Sequence, residues 1–356
     1  MKNDSTRIAD IHEGDEFVGF YAVKRSALKE TDGAFRLEIE IGDMTGSLPG
    51  VIWEDAKAFR DLLPKGAVAK VKGRLASYRD KPQVRIDRIR PAKEGEYDPD
   101  SFIPAIEGDA DALAEQVMAH VATIGDPHLR KLGETVFGNA KFMAEFKRAP
   151  GGSSWHHGYI GGLIEHSVKV ADICAFIASG DYGLNRDLLV IAALLHDVGK
   201  TRELAATTTI EYTDEGRLVG HIVMGERFVN AMCDRVDGFP RNLRTLLSHL
   251  MLSHHGHRDF SSPVEPMIPE AFALYYADEI DAKLNALKRV VRECADEGKS
   301  WSDFNNVLKR YIYAGERDGG EPCGADTVSR PDAGWAGSQK HKAGKQADAG
   351  VKRRKG

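Results

Sequence analysis

The sequence predicts two domains of different class, an N-terminal all-β barrel followed by an all-α domain. Three observations carry this. Residues 14–92 form short apolar-alternating runs separated by turn residues, the pattern of strands. From Asp109 the apolar positions take a helical spacing, as at Leu113, Val117 and Val121. Between the two lies a stretch, 93–108, rich in Pro, Gly and acid.

Within the first domain, Phe17 to Ser26 and Ala34 to Ile41 read as strands around a Thr31-Asp32-Gly33 turn. A third strand runs from Ser47 to Trp53, and a short helix from Glu54 to Leu62. Pro64-Lys65-Gly66 then leads into strand four, Ala67 to Tyr78, and an Arg79-Asp80-Lys81 turn into strand five, Gln83 to Arg90. Three strands, a helix and two strands is the order of the small OB-fold barrel. Residues 1–92 are therefore taken as an OB-fold nucleic-acid-binding domain and 93–154 as a linker and helical connector.

A helix opens at Asp109, and a second follows Asp126-Pro127 and runs to about Lys147. Pro150-Gly151-Gly152-Ser153-Ser154 breaks the pattern. Beyond it, helices are expected over 160–179, 184–196, 225–236, 241–254, 269–295 and 301–314. Residues 316–356 are Gly-, Ala- and charge-rich with almost no aliphatic side chains, and are expected to be a disordered basic tail.

Composition excludes some classes. With 42% hydrophobic and 29% charged residues the chain has the balance of a soluble globular protein. Its longest apolar stretch, Leu188 to Leu195, is too short to span a bilayer. No apolar segment follows Met1 to Arg7, so no secretory signal is read there. Cys174, Cys233, Cys294 and Cys323 are scattered without metal-site or disulfide spacing, and a reducing cytoplasm is the simpler setting. No membrane partner is expected.

The net charge of −5 conceals two basic clusters. Residues 67–92 carry eight Lys or Arg against Asp80 and Asp87, and residues 340–356 carry seven against Asp348. Each cluster is +6 and points to a polyanionic partner. In strand four Lys70, Lys72 and Arg74 alternate with Ala69, Val71 and Leu75, so that one face is cationic. Arg85, Arg88 and Arg90 follow in strand five. Among the aromatics, Trp53 and Phe35 are read as core and Tyr78, beside Arg79, as a base-stacking residue. Lys70, Lys72, Arg74, Tyr78, Arg79 and Arg85 are the candidate nucleic-acid contacts.

Histidines concentrate in the helical part, where Leu194-Leu195-His196-Asp197-Val198-Gly199-Lys200 and Ser253-His254-His255-Gly256 are the informative runs. A helix apolar on nearly every side is buried. The one ending at Leu195 therefore delivers His196 and Asp197 into the interior, where an unpaired carboxylate is expensive and a cation resolves the cost. Adjacent helical positions point about 100° apart, so the pair can face two neighbouring metal positions with the Asp197 oxygens bridging them. Two metals ~3.5–4 Å apart are a device for in-line displacement at phosphorus. Singly, a helical histidine is more often a core or surface residue, and His12, His120 and His128 are read so.

His166, His196-Asp197 and Asp278, in that order on successive helices, resemble the signature of the HD phosphohydrolase superfamily. Trp155-His156-His157-Gly158-Tyr159-Ile160-Gly161-Gly162-Leu163-Ile164-Glu165-His166-Ser167 further resembles the segment that opens the HD domain of YhaM-type 3′→5′ exoribonucleases. Gly220-His221-Ile222, Ser253-His254-His255-Gly256 and Ala277-Asp278-Glu279-Ile280-Asp281-Ala282-Lys283 are similar too, as is the basic N-terminal module. The chain departs from that pattern at Ser261-Ser262-Pro263, where a Gly is expected, and at Glu279, where an Asn is expected.

The resemblance covers residues 14–315 and implies an all-α HD domain over 155–315. It implies His166, His196, Asp197 and Asp278 around a first metal, with Asp197, His221, His254 and His255 around a second. The catalytic candidates are Asp197, Lys200 and His157. Lys200 reads either as a group that neutralises a phosphoryl oxygen or as a solvated helix-end lysine. His157 reads either as a substrate contact and proton donor or as a structural residue.

The expected activity is metal-dependent 3′→5′ exoribonuclease hydrolysis of single-stranded RNA to nucleoside 5′-monophosphates, with two divalent ions. Manganese is the first choice, before Fe, Co, Ni, Zn or Mg. Single-stranded DNA as substrate and a homo-oligomeric state stay open. A small-nucleotide phosphodiesterase and a nucleic-acid-binding adaptor with a structural HD domain are the alternatives.

Overall fold

The computed structural model describes residues 5–315, apart from 32, 79, 80, 154–156 and 307. The expected basic tail, and Arg79, Trp155 and His156, lie outside the described residues.

Five strands form a closed barrel: β1 (Glu16–Thr31), β2 (Ala34–Asp43), β3 (Gly46–Ile52), β4 (Val68–Tyr78) and β5 (Lys81–Pro91), with helix α1 (Ala56–Leu62) between β3 and β4. Their order around the barrel is β1-β2-β3-β5-β4. β3 and β5 are the parallel pair, with Val51 beside Arg85. β1 pairs with β4 through its first half and with β2 through its second. A register shift between Val23 and Arg25 bends it from one neighbour to the other, as bulges do. Alternation is clear in β4, where Ala69, Val71 and Leu75 are buried while Lys72 and Arg74 are exposed. Tyr21, Val23, Leu37, Ile39, Ile41 and Val84 complete the barrel core.

The stretch 93–108 is tied to its neighbours at both ends. Its composition is polar, but Phe102 and Ile103 are buried anchors. Lys24 donates to the Phe102 carbonyl at 2.7 Å, and the Met44 amide to that of Ser101 at 2.9 Å. At its far end, Ile106 and Pro104 exchange backbone hydrogen bonds with Ile160.

Helix α2 (Ala110–Ala122) follows. The single helix expected up to Lys147 is two, α3 (Pro127–Phe137) and α4 (Ala140–Arg148). Gly138 ends the first and Asn139 starts the second, its side-chain oxygen accepting from the Phe142 amide at 3.0 Å. The break lets Phe142 stack on Phe228 at 5.0 Å between ring centroids. Helix α5 (Gly162–Ala178) leads to α6 (Arg186–Leu195), in which every residue from Leu188 to Leu195 is buried.

Between α6 and the next long helix the sequence reading has no elements. The structure places there a one-turn helix α7 (Lys200–Glu203), a hairpin of β6 (Leu204–Ala206) and β7 (Ile210–Tyr212), and α8 (Asp214–Val219). Strands of three residues are too short to show a period. The hairpin docks the helical domain on the barrel: the Thr208 hydroxyl donates to the Gly66 carbonyl, and Lys65 lies 3.5 Å from Glu211. Helices α9 (His221–Cys233), α10 (Arg241–Ser253) and α11 (Pro269–Asp296) complete the domain.

The chain divides into two compact units, residues 1–289 and 290–356. In the second, the helix expected over 301–314 is absent among the described residues. Isolated bridges join Trp301 to Tyr313 and Asn305 to Arg310. Aromatic pairs explain the preference, since the rings of Trp301 and Tyr313 stand 5.0 Å apart and those of Phe304 and Tyr311 5.3 Å. Cys174, Cys233 and Cys294 are free and buried. No helix among the described residues is long and apolar enough to cross a membrane.

Asn139→Ala removes the cap that starts α4. It should cost about 1 kcal/mol in urea unfolding.

Candidate metal centre

Helix α6 runs through the middle of the helical domain, apolar on all sides, and His196 and Asp197 follow at its end. Both are buried, as are His166 on α5 and His254 after α10. His221 opens α9. The approach of α9 depends on Gly199, because a Cβ there would stand 2.0 Å from the His221 carbonyl oxygen.

Five imidazoles share one arrangement. Nδ1 of His196 contacts the Ala193 carbonyl at 2.7 Å, that of His254 the Met251 carbonyl at 2.8 Å, and that of His255 the Phe260 carbonyl at 2.8 Å. Nδ1 of His166 contacts Asp281 Oδ2 at 2.6 Å, and that of His221 contacts Glu203 Oε1 at 2.9 Å. Every one of these partners is an acceptor, so each Nδ1 turns its proton outward and each Nε2 is left facing the cluster. The Nε2 atoms turn inward. Those of His166 and His196 are 3.2 Å apart, which brings two acceptors together and calls for a cation.

Asp197 joins two groups. Its Oδ2 lies 3.6 Å from His166 Nε2 and 3.3 Å from His196 Nε2. Its Oδ1 lies 3.4 Å from His221 Nε2 and 3.5 Å from His254 Nε2. Asp278 Oδ1 joins the first group, 3.1 Å from His166 Nε2. His255 completes the second, its ring 4.5 Å from that of His254. Donors about 2.0–2.2 Å from one cation at tetrahedral or octahedral angles lie about 2.8–3.6 Å from each other. The observed spacings fit. Asp197 Oδ1, His221 Nε2 and His254 Nε2 are buried acceptors with no hydrogen-bond partner, the condition a metal ion relieves.

The electrostatics agree. Burial alone would push His166 down, yet Asp278 and Asp281 hold it up to about 9, so this group draws positive charge. Burial opposes ionisation of Asp197 too, but Lys200 and His196 keep it well below the usual carboxylate range. Burial, helped by His254 and His221, pushes His255 down to about 3, and burial lowers His254. Neutral imidazole is the ligating form.

Lys200 is not solvated: it is buried, with Nζ 2.5 Å from Asp197 Oδ2. His157 stands behind His166 rather than among the converging Nε2 atoms. Its Nε2 is 2.7 Å from Asp281 Oδ2, a buried contact, and its Nδ1 2.9 Å from the Tyr159 hydroxyl, a partly buried one. His249 accepts from the Met267 amide at 3.0 Å, outside the cluster. The sequence reading did not single out Asp281 or Glu203 as site residues. Asp281 is legible in retrospect, one turn after Asp278 on the same face of α11, whereas Glu203, 18 residues before His221, carries no motif.

On the barrel, β4 and β5 set Lys70 opposite Arg90, Lys72 opposite Arg88 and Arg74 opposite Arg85. Part of this row is paired internally: Arg74 with Glu16, Arg90 with Glu96 at 2.8 Å, and Arg85 with Asp87 at 4.0 Å. Lys70 caps the Phe20 ring at 5.0 Å. Lys72 and Arg88 form no ion pair among the described residues. Tyr78 is exposed. Trp53, read as core, is 64% exposed with Arg36 5.8 Å over its ring, because β3 ends one residue earlier. Phe35 is half-buried against the barrel core.

Partners that orient a metal-bound imidazole typically matter 10–100-fold in affinity. Asp281→Ala should weaken Mn²⁺ binding to the full chain by that order in calorimetric titration, with the helical signal unchanged.

Residues 163–283 match the family described as the HD domain, and residues 31–92 match the OB-fold nucleic acid binding domain. The chain is 29% identical over 284 residues to the 3'-5' exoribonuclease YhaM of Bacillus subtilis (strain 168), covering 79% of this chain and 90% of that one. It is 29% identical over 285 residues to the YhaM of Geobacillus sp. (strain WCH70), covering 79% and 87%. A solved structure, "Structure and Conformational Change of a Replication Protein A Heterotrimer Bound to ssDNA", aligns with 24% of this chain and 62% of its own at 16% identity. Its TM-score of 0.19 is too low to bear on function. The chain thus has an OB-fold barrel ahead of an HD domain, and it is similar, over nearly the whole length of those relatives, to proteins named 3'-5' exoribonuclease YhaM.

Proposed function

We propose that this protein is a cytoplasmic, metal-dependent 3′→5′ exoribonuclease that hydrolyses single-stranded RNA to nucleoside 5′-monophosphates. The observation that carries the reading is the pair of donor sets joined through Asp197, in a homologue of proteins bearing that name. His166, His196, Asp197 and Asp278 would hold one divalent cation, and Asp197, His221, His254 and His255 a second. Mixed imidazole and carboxylate donors suit Mn, Fe, Co, Ni or Zn before Mg, and Mn is our choice. Such ions supply a nucleophile at neutral pH and stabilise charge developing in displacement at phosphorus.

The protein's own groups have separate tasks. Lys200 offsets the charge of Asp197 and keeps that carboxylate ionised in a buried place. Asp281 and Glu203 orient His166 and His221, and His157 positions Asp281. On the barrel, like charges set opposite one another destabilise a sheet, and a phosphate backbone relieves that repulsion. Lys72 and Arg88, which form no ion pair among the described residues, are the strongest phosphate contacts in this reading. Lys70, Arg74 and Arg85 support them, and Arg79 is the further contact that the sequence suggests. Tyr78 and Trp53 offer ring faces for bases, each stack being worth ~1–3 kcal/mol. A duplex hides those faces, which favours single strands.

With Mn²⁺ and RNA labelled at its 5′ end, the wild-type protein should give a descending one-nucleotide ladder that stalls at a 3′-terminal hairpin. Asp197→Ala should reduce cleavage to background and lose bound metal while keeping its RNA affinity. Immediate short internal fragments would indicate an endonuclease. Turnover of small phosphodiesters without RNA cleavage would favour the small-nucleotide phosphodiesterase.

Replacing Lys72 and Arg88 by Ala should weaken binding of long single strands. The salt dependence should become shallower by about 0.7 per lost phosphate contact in a log–log plot. Cleavage of a dinucleotide should change far less.

A further inference from the structure

The loop after the His254-His255 pair holds groups that the metal cluster leaves unused. His255 is tied through Nδ1 to the carbonyl of Phe260, so one imidazole and one peptide separate the cluster from the Phe260 ring. That ring is 59% exposed. It meets His257 edge to face, with centroids 5.8 Å apart, and His257 meets Tyr275 in the same way at 5.6 Å. Tyr275 lies 4.8 Å from Tyr276, which is exposed again. Tyr275 itself is held over the bare backbone of Gly256, where a Cβ would stand 2.4 Å from the ring. A row of aromatic rings thus starts beside a candidate ligand and reaches the surface.

The loop is pinned. Phe260 and Ser262 donate backbone hydrogen bonds to the His257 carbonyl at 3.0 and 3.2 Å, and Ser261 donates to that of Arg258 at 2.9 Å. The Ser262 hydroxyl lies 3.1 and 2.9 Å from the Leu252 and Val264 carbonyls. Ser261 is left-handed, with φ 70° and ψ 17°. A side chain in that region is strained, and such strain persists where the surroundings over-determine the backbone. Arg258, exposed and without an ion pair among the described residues, flanks Phe260 on one side and Asp259 lies between them.

We infer that this row is the seat for bases at the 3′ end of the strand, with Phe260 as its first platform. The inference rests on the exoribonuclease reading above. A phenyl face stacks on any base without reading hydrogen-bonding edges, which suits an enzyme that must accept every nucleotide in turn. Holding the platform rigid removes the ordering cost of binding.

The test uses the full chain with Mn²⁺ and two substrates, an oligoribonucleotide and bis(p-nitrophenyl) phosphate, a diester without bases. Phe260→Ala should raise KM for the oligoribonucleotide roughly 5- to 100-fold more than for the small diester, as loss of one base stack requires. Phe260→Tyr should restore it. An oligoribonucleotide abasic at its last position should erase the difference between the wild type and Phe260→Ala. Equal losses on both substrates would overturn the inference, because the loop would then serve only to hold His255. Unchanged KM on RNA would overturn it as well. A wild-type protein that splits the diester but leaves RNA intact would sink the exoribonuclease reading and the platform together.

Discussion

Everything in the helical domain is arranged around one buried carboxylate. Asp197 stands at the end of a helix that is out of water along its whole apolar length, and its two oxygens face different sets of imidazoles. An ionised group at such depth is tolerable only with compensating positive charge. Lys200 supplies part of it. The lone pairs of the surrounding Nε2 atoms supply none, being acceptors themselves. The cluster is therefore a device for collecting cations, and its stability and its chemistry have the same source.

The second layer does as much as the first. Each imidazole can turn either nitrogen inward, and what decides is the acceptor behind it: three backbone carbonyls and two carboxylates. The carbonyls belong to the helix ends and the following loop, so those orientations come with the fold. Asp281 and Glu203 are side chains, and they are where the orientation depends on single residues. Close backbone contact at Gly199 has a related role, since it lets the helix that starts at His221 approach near enough for Nε2 to reach Asp197.

Much of this was legible in the sequence because it rests on local periodicity. The alternation of Lys70, Lys72 and Arg74 with buried neighbours announces a strand, and the apolar run to Leu195 announces a buried helix. The resemblance through His166, His196-Asp197 and Asp278 named side chains that the fold does bring together. The rest depends on information no short window holds. Trp53 reads as core because hydrophobicity says that a ring prefers burial, not where the strand ladder stops. The segment 301–314 reads as helix because aromatic residues satisfy either period, whereas ring pairs across isolated bridges decide its conformation. Glu203 reaches His221 only through a hairpin of three-residue strands that sequence patterning does not register.

That hairpin has a consequence for how such a protein can be assembled in evolution. It leaves the helical domain directly after Glu203 and meets the barrel at the Gly66 turn and beside Lys24, before the chain returns to His221. The barrel is thus not a cassette that can be exchanged across a tether. Any replacement would have to present a carbonyl to Thr208 and a cation to Glu211 in the same places. The two domains are consequently expected to be inherited as a unit, with substitutions at the barrel's turns accompanied by substitutions in residues 204–212.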